Sequence, residues 1–147
     1  MILRRYCRTA GVSLVETCIA LAIAAFVTGG LVTGFVQAAR QTESSAYVLA
    51  AQAQASQGLE QTRAAKWDPT ASPPVDQLVS SNFPTIVTNL DVPASSSRLV
   101  YGTNRTTISV ISTNPQLRMI QVDCSWTFPA SGRIYTNSIY TYRAPDQ

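Results

Sequence analysis

Residues 17–39 carry no charged side chain, and this apolar run constrains everything that can be built around it. As a helix rising ~1.5 Å per residue, its 23 residues reach ~35 Å, enough to cross a hydrocarbon layer ~30 Å thick. The charges flanking the run give it a direction. Arg4, Arg5 and Arg8 precede it, whereas Arg40 beyond it is soon offset by Glu43. That asymmetry favours a cytoplasmic N-terminus and an extracytoplasmic C-terminal part. Two plainer readings compete. A cleaved secretory signal would use Val36-Gln37-Ala38 as its small-residue site, but the run far exceeds the roughly 7–15 apolar residues of such a signal. A simple signal anchor with no special processing is the other. A lipoprotein site at Cys18 fails because Val15-Glu16-Thr17 is not the small apolar sequence it requires.

The run also explains the composition. Charged residues make up 13% of the 147 residues, about half the ~25% of ordinary soluble domains. Setting the run aside leaves one modest domain rich in Ser, Thr, Asn and Gln. The net charge of +3 resides entirely in the first eleven residues, because eight basic and eight acidic side chains follow from Val12 onward. The basic excess therefore reads as a topology signal, and the neutral remainder argues against strong, non-specific nucleic-acid binding; no specific nucleic-acid partner is expected.

The absence of histidine excludes Ser-His and Cys-His nucleophile pairs and removes the commonest zinc ligand. No phosphate-binding glycine loop or cluster of metal ligands is visible, so neither catalysis nor a cofactor is expected. Asp68, Asp76, Asp91 and Asp123 are scattered, and no calcium site is read from them. Cys7, Cys18 and Cys124 fall in three different settings, which predicts no intrachain disulfide.

Beyond the run, the stretch 37–66 has no proline and one glycine, Gly58, and is dominated by good helix formers. Ala46, Leu49, Ala50, Ala53 and Leu59 recur near helical spacing as a weak apolar stripe, and Glu60 with Arg63 forms a helix-spaced ion pair. A helix over 12–65 would be ~80 Å long, too long for a compact domain of this size. One half must therefore lie in lipid or in an assembly while the other packs on the small domain. Trp67-Asp68-Pro69 ends the helix, followed by a loop carrying Pro73 and Pro74. A short strand over 86–90, a loop over 93–97 and strands over 106–112, 118–128 and 134–142 come next, with turns at Asn114-Pro115 and at residues 129–132. Ile120, Val122, Cys124, Trp126 and Phe128 share one face, as do Ile134, Tyr140 and Tyr142. Cys124 reads as core. Trp126, Tyr135, Tyr140 and Tyr142 read as sheet core or helix packing in preference to a binding face. The Asn104-Arg105-Thr106 sequon is assigned no role. The expected fold is α+β: a long N-terminal α-helix packed on a small antiparallel sheet of three or four strands.

The segment Gly11-Val12-Ser13-Leu14-Val15-Glu16, with its basic leader and following apolar run, resembles the N-terminus of type IV pilins and type II secretion pseudopilins. Gly11, Leu14 and Glu16 match the family form, while Val12 stands where phenylalanine is usual, Ser13 where threonine is, and Val15 where isoleucine is. The continuation Ile19-Ala20-Leu21-Ala22-Ile23, the later stretch 59–65 and the tryptophan-bearing strand look most like the PilV-like and minor pseudopilin I branch. Only residues 1–40 carry a specific likeness.

The resemblance implies a pilin-like fold divided into a leader (1–11), a transmembrane and filament-core helix (12–39), an amphipathic continuation (40–66), a connecting αβ region (67–105) and an antiparallel meander (106–147). It implies a minor subunit of a type IV pilus or a type II secretion pseudopilus. A prepilin peptidase would cut between Gly11 and Val12 and methylate the new amine at Val12. Glu16 would pair with that amine, its own or a neighbour's, during subunit assembly. Implied partners are the peptidase, other pilin or pseudopilin subunits, the inner-membrane assembly platform and membrane lipid. Gly30 and Gly34, a G-x-x-x-G pair, are candidates for close helix packing. The rival expectation is a membrane-anchored binding module, an adhesin or DNA-uptake subunit. An anchored enzyme is disfavoured by the missing histidine and motifs.

Overall fold

The computed structural model describes residues 11, 13–92 and 99–146. Val12, the leader before Gly11 and the loop expected over 93–97 lie outside the described residues. The order of elements is α1 (Leu14–Ala64), β1 (Trp67–Asp68), β2 (Val75–Asp76), a single 3-10 turn (Ser80–Asn82), β3 (Ile86–Asn89), β4 (Tyr101–Thr113), β5 (Gln116–Thr127) and β6 (Ile134–Arg143). This is an α+β arrangement with one long N-terminal helix. The described residues fall into two compact units, the first ending at Ala39 and the second beginning at Arg40.

The first unit is the apolar half of α1. It is long and apolar enough to cross a membrane, and its most apolar stretch buries nothing within the protein. A helix suits such a segment because the main-chain polar groups beyond its first turn are satisfied internally. The hydroxyls follow the same rule: Thr28 Oγ1 donates to Ala24 O at 2.7 Å and Thr33 Oγ1 to Gly29 O at 2.8 Å.

The second unit packs the rest of α1 on a four-stranded antiparallel sheet ordered β3-β4-β5-β6. The sheet is a meander, as expected, with strands somewhat longer than the alternation alone indicated. The region 67–105 holds β1, β2, β3 and the start of β4. Ile120, Val122, Cys124 and Trp126 line the inner face of β5 and are buried, with Phe128 just beyond the strand. Full burial of side chains such as Ile120 and Val122 contributes about 1.5–3 kcal/mol each.

Two expected faces are corrected. The seam of α1 is Tyr47, Ala51, Ala55, Gly58, Leu59 and Thr62, not the stripe expected from Ala46, Leu49, Ala50 and Ala53. Of the expected stripe only Leu59 is buried, and Leu49 is 70% exposed. The phase is set by Tyr47, whose ring lies 5.4 Å from that of Trp126 and 6.2 Å from that of Phe128. On β6, Ile134, Tyr140 and Tyr142 do share a face, but it points away from the helix, at 73%, 66% and 59% exposure. The register pairs Val122 with Ile139 and Trp126 with Tyr135, so the odd-numbered residues of β6 face inward. The tyrosines therefore divide: Tyr135 stacks on Trp126 at 5.1 Å, while Tyr140 and Tyr142 lie open.

Two glycines are demanded by geometry. Gly132 closes the β5–β6 turn at φ +67°, with its N–H donating to Phe128 O at 2.8 Å. Gly58 lets the sheet approach the helix: a Cβ there would stand 2.8 Å from Asn104 Nδ2 and 3.0 Å from Val122 Cγ1.

Candidate functional site

The candidate site is the N-terminal half of α1. Glu16 lies in the first turn, where the exposed main-chain N–H groups present partial positive charge, so a carboxylate is favourably placed. Its side chain is exposed, as is Gly11 five residues earlier. The turn is closed by Thr17, whose N–H donates to Ser13 O at 3.1 Å. Val12, expected to carry the new amine, is outside the described residues.

Gly30 and Gly34 lie about 21 Å or more along the helix from Glu16 at ~1.5 Å per residue. They are a separate feature from the Glu16 region. Both, with Gly29, Phe26, Thr33 and Gln37, line an open surface groove on this half of the helix. A Cβ at Gly29, Gly30 or Gly34 would meet nothing within 4 Å. No other described part of this chain fills the groove. Cys18 is exposed and unpaired on the same helix, and Cys124 is buried and unpaired in the sheet, where desolvation pushes its thiol above the ordinary value.

In the second unit, the side chains that position the helix were not visible in sequence. Asn104 Nδ2 donates to Gln54 O at 2.9 Å, Asn137 Nδ2 to Val48 O at 3.1 Å and Arg143 Nη1 to Thr62 O at 2.7 Å. These three donors grip main-chain carbonyls of α1. The contact at Asn104 also engages the amide nitrogen that a sequon would offer to a glycan. Arg118 forms a second anchor: it binds the Asp76 carboxylate through two N–H groups at 2.8 and 2.6 Å, donates to Leu78 O at 2.7 Å, and lies 4.3 Å over the Trp67 ring. The guanidinium holds the Asp76 carboxyl below its ordinary range. No signal at a sequence separation of 42 residues points to this pair.

Among the described residues no group of three or more His, Cys, Asp or Glu side chains is placed to hold a metal ion. Comparison with family models finds no match, and neither curated proteins nor solved structures give one. The chain thus has a membrane-length apolar helix, an acidic residue in its first turn, and a helix-on-sheet second unit, compatible with a pilin-like fold.

Proposed function

We propose that the chain is a structural subunit, of the minor class, of a type IV pilus or a type II secretion pseudopilus. One observation carries the reading: an apolar membrane-length helix whose first turn holds Glu16, directly preceded by Gly11 and a leader that contains the whole net positive charge. A prepilin peptidase cuts after Gly11 on the cytoplasmic side and methylates Val12. The subunit then waits in the inner membrane with its C-terminal domain in the periplasm. An unpaired carboxylate is costly near lipid, and pairing Glu16 with the new amine of this or a neighbouring subunit offsets both charges and favours one axial register. The assembly platform and sibling subunits then draw the helix from lipid into the filament, with the groove at Gly30 and Gly34 available for close helix contact.

Mass spectrometry of the mature N-terminus tests the cut. A chain starting at Val12, with or without one methyl group, is expected. An intact Met1, or a start after Ala38, would overturn the reading. Loss of filament incorporation in Glu16→Ala is expected for the pairing role, and normal incorporation would remove it.

A second reading rests on the open outer face of β6, where Tyr140 and Tyr142 are exposed. It is a membrane-anchored binding module, and it predicts that Tyr140→Ser with Tyr142→Ser abolishes ligand or surface attachment while leaving filaments intact.

A further inference from the structure

The exit of α1 is held by contacts of a different kind from those of the sheet core. Trp67, three residues past the helix, is buried as part of the hydrophobic core, and ions and main-chain groups meet it in addition. Its N–H donates to Asp146 Oδ2 at 2.8 Å, and its carbonyl accepts from Asp146 N–H at 2.7 Å. Asp146 is itself held by Arg143 Nη2 at 2.8 Å to one oxygen and 3.1 Å to the other. Arg143 meanwhile reaches the helix at Thr62 O, and Arg118 covers the Trp67 ring from the Asp76 side. Next door, Asp68 Oδ1 accepts from Thr70 N–H and Ala71 N–H, each at 3.0 Å, and from the Thr70 hydroxyl at 2.8 Å. Three carboxylates thus organise one end of the second unit. The interior between α1 and β5 uses apolar side chains and neutral amides.

We propose that the 144–146 segment is an acid-released latch, which holds the helix exit and the 67–78 loop and opens while the helix and the four-stranded sheet stay folded. The groups facing it set the direction. Asp146 meets the Trp67 N–H, Arg143 and, at longer range, Lys66; Asp76 meets Arg118 and the Leu78 N–H; Asp68 meets Thr70, Ala71 and Lys66. The remaining charges at this end of the helix, Glu60 and Arg63, pair with each other at 2.7 Å. Each of the three carboxyls is therefore held below its ordinary value, and the contacts persist at neutral pH. They weaken as pH falls below the unperturbed carboxylate value of about 4 and on through the lower folded-state value. Arg143 and Arg118 stay charged throughout, so Arg143 keeps its bond to Thr62 O while residue 146 leaves.

The experiment uses the full chain in detergent micelles. Trp126→Phe leaves Trp67 as the one tryptophan. On acidification its emission is expected to shift to longer wavelength and its quenching by acrylamide to rise, with the far-ultraviolet circular dichroism unchanged. At neutral pH, Asp146→Asn in the otherwise native chain should raise hydrogen exchange in the 67–78 segment about tenfold, with none of this change in β5 or in an Asp123→Asn control. A Trp67 signal that changes only together with the circular dichroism would overturn the latch. So would unchanged exchange in Asp146→Asn, a measurement that needs no tryptophan substitution.

Discussion

The two halves of α1 are one continuous helix with opposite requirements. Residues 14–39 bury nothing within the protein, and beyond Glu16 they carry no charge, with the Thr28 and Thr33 hydroxyls satisfied inside the helix, so this half depends on whatever surrounds it. Residues 40–64 carry their own partner: a seam of small residues seated on β5, gripped at three carbonyls by Asn104, Asn137 and Arg143. The contrast teaches that helix formation and helix stabilisation are separable. Both halves have the propensity, but only the second obtains its packing energy from this chain.

The same charge placed in each half should have very different effects. Val27→Arg is expected to abolish membrane association, since an arginine at mid-span costs at least ~2.5–3.5 kcal/mol. Leu49→Arg, on the exposed side of the second half, is expected to shift stability by no more than ~0.5 kcal/mol. Membrane fractionation and urea melts in micelles read the two outcomes. A close second is truncation of large aromatics. Trp126→Ala should destabilise the second unit by ~3–5 kcal/mol, whereas Phe26→Ala should leave its melt unchanged.

Glycines sharpen the comparison further. Gly58→Ala forces a methyl group against Asn104 and Val122, and a loss of ~1–3 kcal/mol is expected in the denaturant midpoint. Gly30→Ala meets open space and should raise helix content, with up to ~1 kcal/mol gained in propensity. If Gly30→Ala nevertheless reduces filament assembly, the groove is a packing surface and not a chance pattern. The smallest effect is electrostatic. The folded carboxyl of Asp76 is held low, so its contribution is full above the unfolded value of about 4 and disappears as pH falls through the folded value. With Asp76 40% exposed, Asp76→Asn should cost ~1 kcal/mol or less at pH 7 and progressively less as pH falls below about 4, as read from paired melts.

The parts of the fold legible in sequence were those whose signal is local. The strict alternation from Ile120 to Trp126 shows which side of β5 is buried, because period two leaves one choice. The seam of α1 was not legible: alanines occur at positions 46, 50, 51, 53 and 55, so apolarity alone does not choose a phase. The choice is made by Tyr47 meeting Trp126, a contact across 79 residues of chain. The direction of β6 was hidden for a related reason. Its tyrosines outnumber its inward apolar residues, and only pairing with β5 fixes that Ile139 faces the core. Of the candidate site, the place of Glu16 in the first turn of α1 was legible, because it follows from its short spacing to an apolar run. The donors that grip the helix were not, since Asn104, Asn137 and Arg143 reach carbonyls 50, 89 and 81 residues away.

That grip has a consequence for how the helix is recognised. Asn104, Asn137 and Arg143 read carbonyl oxygens, which every residue possesses, so these bonds carry little information about which residue they meet. The side chains supply that information: the Tyr47 ring lies 5.4 Å from that of Trp126, and a Cβ at Gly58 would stand 2.8 Å from Asn104 Nδ2. The main chain of the helix gives the sheet its handholds, and the side chains give it the address.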